Sequence, residues 1–188
     1  PDFFLPVIQG ALAGYLQVDA PYVAAVEAVL GLNLQAVLMK DVAMAEHIVK
    51  TLRSSKGGRV VLALRELEES FEHVENPELK LPEGALGWLI HKVNARPEAR
   101  RVVERLINFA VLVPDVETAL RLFPMRGWTL VTLQGDVLSG DGMLHAGVEA
   151  GAGVSSVLER RNQVTALEGE LVELRTQLVA KQKVREDQ

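Results

Sequence analysis

One stretch of this sequence occurs twice. Residues 36–45 read AVLMKDVAMA and residues 110–119 read AVLVPDVETA, identical at six of ten positions. The flanks repeat as well. Ahead of each copy runs a helical pattern with proline in its first turn, from Pro21 to Leu30 and from Pro97 to Ile107, a position proline suits. After each copy a second helix begins, with Asp41 or Asp115 at the N-cap. A glycine and an apolar run follow, GRVVLAL from Gly58 and GWTLVTL from Gly127. Matched order on both sides favours duplication of a whole helix–strand–helix–strand unit over chance.

The strand segments LQAVLM, VVLAL, FAVLV and WTLVTL are nearly continuous apolar runs. Helices covering a sheet give that pattern, whereas half-exposed strands alternate. The predicted fold class is therefore α/β: two pseudo-repeated lobes, each a small sheet with packed helices, followed by a coiled-coil helix. The first lobe is assigned to residues 1–66 and the second, with its glycine-rich edge, to 84–153. Residues 66–83, ELEESFEHVENPELKLPE, carry seven Glu against one Lys and are broken by Pro77 and Pro82. They read as an exposed acidic linker over 67–83.

The chain ends on a different pattern, over residues 154–188. Val157, Val164, Leu171 and Leu178 recur every seven residues, and Leu167 and Leu174 fall three after the middle two. These are a and d positions of a heptad repeat, surrounded by Glu, Arg, Gln and Thr. Burying each apolar side chain contributes roughly 1.5–3 kcal/mol, which a lone helix in water forgoes. No second heptad stretch is present, so the partner lies either on another chain or, as expected here, in an antiparallel coil segment preceding Pro1 in a longer chain. A surface helix docked on the globular part is the alternative.

The bulk properties narrow the chemistry. With 20 Lys and Arg against 25 Asp and Glu, the net charge is −5. A dedicated sequence-reading nucleic-acid domain is usually basic, so any DNA contact must be a local patch. The absence of cysteine removes disulfides, thiol catalysis and Cys-ligated zinc, and fits a reducing cytoplasm. No apolar run suits a membrane span, and no signal-peptide pattern opens the chain.

Glycine-rich GDVLSGDGMLHAG, residues 135–147, resembles a phosphate cradle at first sight. A P-loop needs a Gly-Lys pair, which the sequence lacks. The G-x-G-x-x-G spacing of a dinucleotide site is broken after Gly142. Asp136 and Asp141 lack the alternate-position ligands of an EF-hand. His47, His73, His91 and His145 are scattered, without a metal-binding pattern, and no serine elbow occurs. Glycines beside short strands also permit another chain's sheet to approach closely. The expectation is therefore no catalytic residue, no metal and no cofactor in this chain.

These features together resemble the hinge domain of SMC (structural maintenance of chromosomes) proteins, of the bacterial type. The resemblance rests on the two α/β lobes, the Gly58-Arg59 strand, the TL-x-GD strand end and the glycine series running into a coiled coil. Gly135, Gly142 and Gly147 match the family's glycine motif, while Ala146 stands where glycine is usual and His145 where threonine is common. The resemblance implies a homodimerisation device, pairing two chains as a two-fold ring through strand edges, with Gly135, Gly142, Ala146 and Gly147 at the interface. It also implies long coils leading to distant ATPase heads, where ATP and Mg would bind, and a nucleoid-associated place in the cytoplasm.

Family hinges also touch DNA, commonly through basic residues at the coil junction, where this chain has Arg160 and Arg161. A second basic group is Lys92, Arg96, Arg100, Arg101 and Arg105 on the helix opened by Pro97, with Lys56 and Arg59 able to add to either. Such contact would be weak and non-specific. The rival readings are a small-molecule-binding α/β domain on a coiled-coil stalk, and a different hinge on an SMC-like scaffold. An enzyme is the weakest option.

Overall fold

A computed structural model describes residues 8–55, 57–65, 80–123, 127–147 and 157–186. Both repeated stretches form a strand–helix–strand crossover. In the first, β3 (Val37–Met39) leads into α2 (Val42–Ser54) and returns as β4 (Leu62–Leu64), parallel to β3. In the second, β7 (Ala110–Val113) leads into α4 (Val116–Leu122) and returns as β8 (Thr129–Thr132), parallel to β7.

Each crossover helix starts where the repeated aspartate predicts. Asp41 Oδ1 accepts from the backbone N–H of Ala43 at 2.7 Å and of Met44 at 3.3 Å. Asp115 Oδ1 accepts from the N–H of Thr118 at 2.7 Å. Each carboxylate satisfies donors that the first helical turn leaves unpaired. Those hydrogen bonds, from Thr118 above all, hold the Asp115 carboxyl below the usual carboxylate range.

The duplication reaches further upstream than the apolar runs indicate. Ahead of β3 come β1 (Ile8–Ala11), a 3-10 turn over Leu12–Tyr15, β2 (Leu16–Val18) and α1 (Val23–Leu30). Ahead of β7 come β5 (Gly87–Trp88), a 3-10 turn over Leu89–Lys92, β6 (Val93–Ala95) and α3 (Pro97–Ile107). β1 pairs antiparallel with β3, and β5 pairs antiparallel with β7. β2 and β6 pair with each other, antiparallel, in the register Leu16 to Ala95 and Val18 to Val93. That two-stranded ladder joins the copies.

The first copy thus forms a three-stranded sheet, β1-β3-β4. The second adds β9 (Val137–Leu138) and β10 (Leu144–His145) to make a five-stranded sheet, β10-β9-β8-β7-β5. One hydrophobic core runs through both copies, joining Leu12, Val26, Leu30 and Leu38 to Val103, Ile107, Leu112 and Val131. α1 belongs to the first copy by sequence but packs on β8 and β9 of the second, while α3 packs on β6 and the 3-10 turn of its own copy and also touches the 3-10 turn of the first. The far face of the five-stranded sheet carries a second cluster, Trp88, Val111, Val113, Ala119, Leu130 and Leu138. There Trp88 meets Trp128 edge to face, 5.1 Å between ring centroids. Both faces of β7 are therefore covered and all four of its residues are buried, which explains why it reads as unbroken apolar sequence. α5 (Val157–Glu186) closes the described chain.

The acidic stretch 66–79 and the coil's approach, 148–156, lie outside the described residues, as does Lys56.

Candidate interface edge and coil junction

β8 ends in a tight turn built around Thr132 and Asp136. The Gly135 N–H donates to Thr132 O at 3.1 Å, and the Thr132 hydroxyl donates to Asp136 Oδ2 at 2.9 Å. Gly135 has φ +94°, in the left-handed region. A Cβ added there would lie 3.2 Å from Ala24 O and 3.6 Å from Ala28 Cβ on α1. This glycine is half-buried against the protein's own helix.

The chain then turns again between β9 and β10. Gly142 N–H donates to Ser139 O at 2.9 Å with φ +90°. The Asp141 carboxylate accepts from the Ser139 hydroxyl and, at 3.2 Å, from the Met143 N–H. The Ser139 bond first and the Met143 bond next hold Asp141 below the usual carboxylate range, and His145 adds a smaller attraction. A Cβ at Gly142 would lie 3.4 Å from Phe123 Cζ. Gly142, Met143, Leu144, His145, Ala146 and Gly147 are all exposed. β10 is one of the two outer strands of its sheet, opposite β5, with Met143 58 % and Leu144 45 % exposed. So Gly142, Ala146 and Gly147 share an open edge, while Gly135 lies behind it. The Gly147 N–H donates to Asp136 Oδ1 at 3.1 Å, tying the end of that edge back to the turn.

The other sheet also ends openly. β4 is one of its two outer strands, β1 being the other; β4 is half-buried, and Val60 and Val61 before it are exposed.

At the base of the coil, Leu158 is 1 % exposed and belongs to the shared core. Its N–H donates to Glu27 Oε1 of α1 at 2.8 Å. Asn162 Nδ2 donates to Val18 O at 3.0 Å, seating α5 on β2. Above this seat the heptad stripe is bare. Val157, Val164, Leu167, Leu171, Leu174 and Leu178 are each 44–60 % exposed.

The basic residues fall around the β2–β6 ladder and along α3. Lys92 and Arg96 flank β6, which pairs with β2, on which α5 rests. Lys92 Nζ lies 5.1 Å from the centre of the Tyr22 ring, a cation–π distance. Arg96, Arg101 and Arg105 are exposed, and Arg100 pairs with Glu104 at 3.5 Å. Arg160 is exposed and Arg161 half-buried at the coil base. Among the described residues no three His, Asp or Glu cluster as metal ligands, and no helix is long and apolar enough to cross a membrane.

The profile of the SMC proteins flexible hinge domain matches residues 5–123. The chain belongs to the SMC hinge family. This hinge is 28 % identical over 174 residues to the chromosome partition protein Smc of Halothermothrix orenii, covering 91 % of this chain. It is 31 % identical over 166 residues to the Smc of Myxococcus xanthus, covering 82 % of this chain. The hinge spans only 15 % and 13 % of those two proteins' lengths. Its fold matches an asymmetric dimer of the Geobacillus stearothermophilus SMC hinge domain, with a TM-score of 0.73 at 22 % identity, over 93 % of this chain and 71 % of that one. It also matches a Pyrococcus furiosus Smc hinge with an extended coiled coil, TM-score 0.58 at 23 % identity, over 93 % and 64 % of the two chains. The glycine edge and α5 of this hinge lie C-terminal to the profile match.

Sequence reasoning did not single out Glu27, Leu158 or Asn162 as the residues that seat the coil. Glu27 had one signal: it is the lone charge in the apolar helix VAAVEAVL.

Proposed function

We propose that this hinge pairs with a second copy of itself and thereby joins two long coiled-coil arms of a chromosome-partition SMC protein. The observation that carries the reading is the pair of open sheet edges, β10 on one sheet and β4 on the other. An unpaired strand edge is a template for another chain. One chain offering two different edges can meet a second copy twice, β10 to β4 and β4 to β10, which closes a two-fold ring. The exposed Met143, Leu144, Val60 and Val61 supply apolar surface on both sides of such a contact. The asymmetric dimer of the Geobacillus hinge supports pairing of two copies, though not its two-fold form.

On this reading the hinge does no chemistry. ATP and Mg belong to head domains elsewhere in the full-length protein, which acts on the nucleoid in the cytoplasm. The bare stripe of α5 takes an antiparallel segment of its own arm. DNA contact is weak and non-specific, through Arg160 and Arg161 with Lys92 and Arg96 beside them, and Arg100, Arg101 and Arg105 contribute less. Arg100 already faces Glu104. Residues 1–66, 67–83, 84–153 and 154–188 then serve as lobe one, linker, lobe two and coil.

The chain has no cysteine, so single cysteines test the edge contact cleanly. A Val60→Cys chain mixed with a Leu144→Cys chain should be joined by a short bis-maleimide. Neither chain alone should be joined efficiently. Efficient joining of Leu144→Cys to itself would mean that β10 meets β10, and the ring would be wrong.

A further inference from the structure

The first turn of the coil and the glycine turn behind β10 rest on one face of a single short helix. Ala24, Glu27 and Ala28 stand at i, i+3 and i+4 of α1, and hence on one side of it. Ala24 and Ala28 receive Gly135, where a Cβ would lie a tight 3.2 Å from Ala24 O. Glu27, between them, accepts the Leu158 N–H. Next to Gly135, Asp136 accepts the Gly147 N–H. Gly147 ends the open edge and Leu158 begins the seated coil. Two carboxylates therefore pin the two ends of the stretch that leads from edge to coil, and they stand on either side of the Gly135–α1 contact.

We infer that this α1 face is a joint that couples the β10 edge to the seating of the coil, with Asp136 and Glu27 as its two positioning residues. The physical basis is short and contiguous. A displacement of β10 pulls on Gly147, hence on Asp136 and the Gly135 turn. That turn lies so close to α1 that even a Cβ on Gly135 would sit 3.2 Å from Ala24 O, so a shift of the turn toward α1 is passed to the helix through close packing. Glu27 moves with α1, and the Leu158 N–H follows or is released. Coupling of this kind is reciprocal: loosening the coil must loosen the edge by the same factor.

What occupies the edge rests on the self-pairing reading above; the joint itself lies within one chain. The test is amide hydrogen exchange, read by NMR at Leu158 and Gly147 and normalised to the buried strand residue Leu112. Asp136→Ala removes the edge anchor and touches neither Leu158 nor Glu27. Glu27→Ala removes the coil anchor and touches neither Gly147 nor Asp136. Each variant should speed exchange at the distant amide as well as its own, by at least about fivefold, the lower end of ordinary coupling. A change confined to each variant's own amide would overturn the joint. So would an equal change at Leu112, since that is general destabilisation.

The same exchange measured in a Gly142→Glu chain separates the two readings. Faster Leu158 exchange there, together with a monomeric mass, supports both. A dimeric mass would count against the edge as the pairing surface, while the Asp136 and Glu27 variants would still decide the joint.

Discussion

Glu27 Oε1 accepts a hydrogen bond from the Leu158 N–H at 2.8 Å, across 131 positions of sequence. The bond caps the first turn of the coil with a side chain from the globular part. A carboxylate is well suited there, because the N-terminal end of a helix carries partial positive charge and unpaired N–H donors. The coil is thereby anchored at its base and bare above it. Two leucines of one helix consequently have opposite roles.

Leu158→Ala should lower the stability of the isolated chain by about 2–5 kcal/mol, as for a fully buried leucine. Leu171→Ala should leave it within about 0.5 kcal/mol, the usual range for an exposed position, and should instead weaken capture of an added antiparallel arm peptide. Urea unfolding and a peptide titration read the two effects. Equal destabilisation by both would mean that the stripe is already covered in the isolated chain.

Gly135 and Gly142 share a left-handed backbone but face different neighbours, and substitutions should separate them. Gly135→Ala adds a tight 3.2 Å approach to Ala24 O to the backbone strain, so it should cost about 1–3 kcal/mol. Gly142→Glu should leave a folded chain with half the molar mass, because its side chain projects from an exposed edge. Melting temperature and molar mass, measured on both variants, would show the reverse pattern if Gly135 were the interface residue.

The two N-caps should respond separately to substitution and to pH. Asp41→Ala should lose about 1 kcal/mol, the usual cost of a lost cap. Asp115 is held below the ordinary carboxylate range by the Thr118 N–H. Its contribution is therefore complete above the unfolded-state pKa and is lost as pH falls through the lower, folded-state value. The stability difference between wild type and Asp115→Asn should shrink on acidification, as followed by urea midpoints from neutral pH downward. A difference that grows as pH falls would contradict the assignment.

Charge reversal at the coil base tests the DNA contact. Arg160→Glu with Arg161→Glu should reduce the slope of log affinity against log salt by about 2, if each arginine meets one phosphate. Reversal of Arg100, already paired with Glu104, should matter less. An unchanged slope in the double variant would remove the junction as the contact.

Much of this fold was legible because its signals are local. The aspartate caps, the proline-opened helices and the fully apolar strands each announce themselves within a few residues. The strand–helix–strand order of both crossovers followed from them, whereas the parallel pairing of β3 with β4 and of β7 with β8 is seen only in the fold. The upstream strands were not legible. β2, β5 and β6 are two or three residues long, too short to express an alternating period; β2 and β6 form because the ladder between copies satisfies their backbone groups, and β5 because it pairs with β7. The packing of α1 on β8 and β9 of the other copy leaves no sequence trace, since either sheet would accept an apolar helix face.

The site divides the same way. Glycine spacing pointed to the edge, yet nothing in the letter G separates Gly142, which is exposed, from Gly135, which rests on α1. The TL-x-GD strand end marked Asp136 without revealing that it holds Gly147. Heptad spacing gave the coil's exposed stripe, whereas its seat depends on Glu27 and Val18, which lie far away along the chain.

The most direct test of self-pairing is molar mass in solution by light scattering, over a dilution series at low and high salt. The account predicts twice 20.6 kDa throughout, because the contact is made of strand edges and apolar side chains that salt does not screen. A mass of 20.6 kDa that persists at every concentration would contradict it.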